Sequence, residues 1–111
     1  MSARKRSARA SSGKPVQRTE VPALVAFLSG YLHQDLLEEH ASPEAALRAF
    51  MEAATPAERE RLAVDWHTFH TKTAAWPLTA VRRALTDLGS AWVPPTRSRL
   101  EALFAKIARP D

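Results

Sequence analysis

Almost no segment of this chain alternates apolar and polar residues with period two, and Val, Ile and Thr nowhere cluster into a strand-like run. A sheet framework needs both, so the fold must be built from helices. Apolar residues recur instead at spacings of three and four. Leu24, Phe27, Leu28 and Tyr31 form one broad face, widened by Val21, Val25 and Leu32, and predict a helix over about residues 21–32. Pro22 suits its first turn, where a missing N–H is no loss. Gly30 costs such a helix about 1 kcal/mol, which a close helix crossing or an early break near residue 30 would explain. Ser42 as cap and Pro43 at the first helical position open a second helix, over about 43–54, with Leu47, Phe50, Met51 and Ala54 inward.

The third helix has the clearest start. Thr55, Pro56 and Glu58 spell a capping box with a proline at the first helical position. Leu62, Trp66, Phe69 and Thr73 line its inner face; Glu58, Arg61, Asp65, Thr68 and Lys72 are expected on the solvent face. Pro77 ends it by residue 76, because the residue before a proline avoids the α region. A fourth helix over about 79–88 has Thr79 as its expected cap, Val81, Leu85 and Leu88 inward, and Gly89 just past its end. Ala91 to Pro95 read as an extended connector. Ser98 and Glu101 suggest another capping box for a fifth helix, over about 98–108, striped by Leu100, Leu103, Phe104 and Ile107. Five short helices with loops of a few residues make an all-α bundle, a single domain over residues 19–111.

Charge is unevenly placed along the 111 residues. Residues 1–19 hold six basic groups and no acid, residues 20–47 hold five acids and no Lys or Arg, and the net charge is +4. Without the tail, residues 20–111 sum to −2. The basic balance therefore belongs to residues 1–18, which have almost nothing to bury and are expected to be disordered. A tail of this kind can touch phosphates in a salt-sensitive, sequence-blind way, but no nucleic-acid module follows it. The opposite window is more specific. Asp35, Glu38, Glu39 and Glu44 can form one negative edge suited to a basic protein partner.

Catalytic and metal signatures are scarce. The chain has no cysteine, which removes disulfides, thiolate metal sites and cysteine nucleophiles. Three glycines cannot build a phosphate loop, and no zinc-protease, calcium-loop or serine-elbow motif occurs. His33 and Asp35, with His40 beyond, are ligand types, but side chains two apart diverge on a helix. They are expected to hold the end of the first helix by hydrogen bonds. His67 and His70 share a helix face as a half-exposed pair. The chain is accordingly read as a binder, not an enzyme, with no cofactor and no metal. No apolar run approaches the roughly 20 residues of a spanning helix, and no apolar segment follows the basic start, so the cytoplasm is the expected location.

The run Leu28-Ser29-Gly30-Tyr31-Leu32-His33-Gln34-Asp35, followed by Ser42-Pro43-Glu44-Ala45-Ala46-Leu47-Arg48-Ala49-Phe50, resembles the small all-helical immunity proteins of contact-dependent growth inhibition. Tyr31, His33, Gln34 and Asp35 carry the distinctive part. Leu85, Leu88, Gly89 and the connector ending in Pro94-Pro95 resemble that family's later segment. The likeness covers about residues 22–107. It implies an antidote that binds the C-terminal toxin domain of a large secreted surface protein, and toxins paired with this branch include RNA-degrading domains. It also implies that Tyr31, His33, Gln34 and Asp35 serve structure more than toxin contact. The alternative is a small helical protein that associates with nucleic acid through its basic tail.

Overall fold

The computed structural model describes residues 15–34 and 40–108 of the chain. A 3-10 turn at Arg18–Glu20 leads into α1 (Pro22–Tyr31), α2 (Pro43–Ala53), α3 (Pro56–Thr73), α4 (Leu78–Asp87) and α5 (Arg97–Ala108). There is no strand among the described residues. All five expected helices form, and their apolar stripes meet in one core. Leu24, Phe27 and Leu28 of α1 are buried there with Leu62 and Phe69 of α3 and Leu103 and Phe104 of α5. Packing of α1 against α2 and α3, and of α5 against the same two helices, closes the bundle. Val81, Leu85 and Leu88 bury the inner face of α4.

Two helix starts follow the sequence signals. Ser42 Oγ accepts from the Ala45 N–H at 3.1 Å, and Thr55 and Glu58 exchange both bonds of their box, at 3.1 and 2.9 Å. Each satisfies donors that the first turn leaves open. The starts of α4 and α5 differ from expectation. Pro77, not Thr79, precedes α4 and offers no side-chain acceptor. α5 begins one residue earlier than expected, because Thr96 Oγ1 accepts from the Arg99 N–H at 3.1 Å, in place of a Ser98 cap.

Asp65 is the main departure. It was expected on the solvent face of α3 and is only 9% exposed. Its Oδ2 accepts from the Ala23 N–H at 2.6 Å and the Leu24 N–H at 3.1 Å. Val21, the residue before α1, has no side-chain oxygen to cap it. A carboxylate on a neighbouring helix supplies the cap instead, in the electrostatically favoured position at a helix N-terminus.

Arginines hold the last connector. Arg82 donates to the Pro94 and Pro95 carbonyls at 2.8 and 2.7 Å, Arg97 donates to the Trp76 carbonyl, and the Ala91 N–H donates to the Leu32 carbonyl at 2.7 Å. The half-buried Trp76 and Trp92 pack against the core beneath these clips. Two contacts fall within residues 15–18. Val16 is buried, and Arg18 donates to the Asp87 carbonyl at 2.8 Å. Residues 1–14 of the basic tail lie outside the described residues.

The two glycines of the helical region exchange roles. A Cβ at Gly30 would meet nothing within 4 Å, so no helix crosses there, and α1 ends one residue later. Close approach occurs at Gly89, which has φ +115° and whose added Cβ would lie 3.0 Å from Ser29 Cβ. The Ser90 N–H donates to the Leu85 carbonyl and the Gly89 N–H to the Thr86 carbonyl, both at 3.0 Å, closing α4 in a Schellman motif. Gly89→Ala is therefore expected to cost about 1–3 kcal/mol in denaturant unfolding, whereas Gly30→Ala should be neutral or slightly stabilising.

Candidate partner-binding surface

The sequence points to two sets of residues, the acidic window and the Tyr-x-His-Gln-Asp run. Asp35, Glu38 and Glu39 lie outside the described residues. Glu44 is in the first turn of α2, half-buried, with Oε2 at 3.4 Å from Arg99 Nη2 of α5. In the free molecule its charge is thus already answered by this chain's own guanidinium.

Tyr31, the last residue of α1, is part of an aromatic cluster. Its ring stacks on Phe27 at 5.9 Å and on His40 at 6.1 Å, and meets Phe50 edge-on at 5.5 Å. These contacts tie the end of α1 to α2 and to the segment before it. Leu32 is fully buried, and its carbonyl receives the connector at Ala91. His33 is half-buried and Gln34 is exposed.

The histidine pair on α3 is divided. His70 Nε2 donates to Glu101 Oε2 of α5 at 3.0 Å and lies beside the Trp66 ring, at 5.4 Å, while His67 is exposed. Among the described residues no group of three or more His, Asp or Glu side chains could hold a metal ion.

A surface that the sequence reading missed lies across α1, α2 and α3. Ala23 and Ala26 of α1, Phe50 and Ala53 of α2, and Ala57 and Val64 of α3 line an open groove of about 860 Å³. A second hollow, of about 600 Å³, lies between α3 and α5 and is lined by Val64, Trp66, His67, His70, Glu101 and Ala105. Glu60 and Val64 border both. Val64 is 57% exposed, which makes it, with Val93 at 49%, one of two large apolar side chains left open to solvent among the described residues. A signal was present in the sequence. Val64 falls off the Leu62, Trp66, Phe69 stripe, among Glu60, Arg61 and His67, where a helix would ordinarily place a polar residue.

Among the described residues no helix is long and apolar enough to cross a membrane. The family model described as CdiI immunity protein covers residues 20–108, so the chain belongs to that family. No curated protein and no solved structure matches. The family's proteins bind a cognate toxin, and this chain is an immunity protein of that kind. The matched region contains all five helices and starts after the basic segment.

Proposed function

We propose that this immunity protein neutralises a nuclease, an RNA-degrading toxin domain at the C-terminus of a large secreted surface protein, by laying a negative edge over its cationic active site. The observation that carries the reading is charge placement: the only long base-free stretch, residues 20–47 with five acids, falls inside the region matching the family. A site that holds RNA phosphates must be cationic, and a protein occluding it gains from presenting carboxylates in their place. Asp35, Glu38, Glu39 and Glu44 are the proposed contacts. Glu44 contributes least, because a toxin cation must first displace Arg99. Protection needs a tight complex, and nanomolar affinity corresponds to about −12 kcal/mol. A one-to-one interface of roughly 1,600 Å² with a well-packed centre reaches that range.

The test uses the cognate toxin domain. Reversing Glu38 and Glu39 to Lys should slow its association about ten-fold at low salt, with the difference shrinking as salt rises. Removing residues 1–14, whose charge opposes approach to a basic partner, should leave affinity within a few-fold. If the deletion abolishes binding while the double reversal does nothing, the acidic-edge mechanism is wrong. RNA binding by the full chain without toxin binding would favour the basic tail as a nucleic-acid contact.

A further inference from the structure

We propose that the Val64 face, where the two hollows meet, is the apolar anchor for the toxin domain, and that it takes an apolar toxin side chain flanked by a Lys or Arg. This rests on the immunity reading and gives it a location apart from residues 35–44. An acidic edge sets approach and register, but affinity in protein complexes concentrates in a few desolvated apolar contacts near the centre. The described surface offers one place suited to that. Alanines on three helices leave the groove beside Val64 unfilled, and Val64 stands 57% exposed on its border.

Charge decides the occupant. The two hollows are bordered by Glu58, Glu60, Asp65 and Glu101 against Arg61, with Asp65 already committed to the α1 cap. Glu58 is engaged in the α3 cap and Glu101 with His70, while Glu60, common to both hollows, has no partner among the described residues. A cationic toxin surface complements this border. A second copy of the chain fits less well, since it would bring another border of the same net charge against this one. Residues 1–14 also fit poorly, because apart from Met1 they contain no apolar side chain larger than alanine.

The experiment measures binding of the full chain to its cognate toxin domain. Val64→Lys should weaken the complex at least ten-fold while leaving the thermal melt unchanged. Ala57→Arg, at an exposed groove wall, should do the same, so the result does not depend on one variant folding. Val93→Lys, on the other exposed valine, should stay within two-fold. Glu60→Lys should slow association several-fold at low salt. If the wild type binds and both Val64→Lys and Ala57→Arg bind equally well, the anchor is elsewhere and the immunity reading stands. If the wild type does not bind, both fall. A wild-type dimer in sedimentation that Val64→Lys converts to monomer would assign the face to a second copy and overturn the proposal.

Discussion

Asp65→Ala is expected to lower the unfolding free energy by about 3 kcal/mol, a loss on the order of 15 °C in Tm for a domain of this size. The carboxylate accepts from two N–H groups in the first turn of α1. Neither has another partner within reach along the chain, because Val21 cannot cap and Pro22 occupies the first helical position. Removing the carboxylate leaves both donors partly or wholly buried and unpaired, at about 1–3 kcal/mol each before relaxation and water entry. Asp65→Asn keeps an acceptor oxygen and should lose less, about 1 kcal/mol. Urea unfolding followed by circular dichroism gives both values. A change below about 1 kcal/mol for the alanine variant would mean that the cap is replaceable by solvent.

Trp66→Ala should cost about 3–5 kcal/mol. The indole is 7% exposed and lies between two aromatic neighbours, stacked on Phe104 at 4.0 Å and on Phe69 at 5.7 Å. It joins α3 to α5, so its removal opens a cavity at the contact of two helices and discards offset stacking as well as burial. Trp66→Phe should recover most of the loss. Against a total stability of about 5–15 kcal/mol for natural domains, that is a large fraction, and the alanine variant should melt at a clearly lower temperature than the wild type. A loss under about 1 kcal/mol would mean that the α3–α5 contact does not depend on this ring.

These two neighbours on α3 show what the sequence disclosed and what it hid. Trp66 was legible because Leu62, Trp66 and Phe69 repeat at helical spacing, and burial follows from that spacing. Asp65 was not, because a wheel drawn for one helix cannot show that another helix begins opposite it. The missing piece was local to α1: a proline at the first turn preceded by valine leaves an uncapped start, and an acceptor must then come from elsewhere. Thr96 against Ser98 is a smaller case, since two hydroxyls two residues apart both offer a cap and packing selects one. Gly30 and Gly89 read alike as composition, but only the second is approached closely by another residue, Ser29.

The partner surface was legible to a lesser degree. The acidic window is a property of composition and needs no fold, and Glu44 takes its expected place at the start of α2. Its ion pair with Arg99 depends on α5 packing beside α2, 55 residues away along the chain. The Val64 groove depends on alanines from three helices meeting, and each alanine alone is an unremarkable helix former. Off-stripe Val64 was the only one of these residues with a sequence signature of its own.

Calorimetric titration of the full chain with its cognate toxin domain decides whether it acts as a stoichiometric antidote. A single transition at one-to-one stoichiometry with nanomolar affinity is expected, weakening as salt rises from about 50 to about 200 mM and rim charges are screened. No heat of binding at any salt, with both proteins folded and at tens of micromolar, would contradict it.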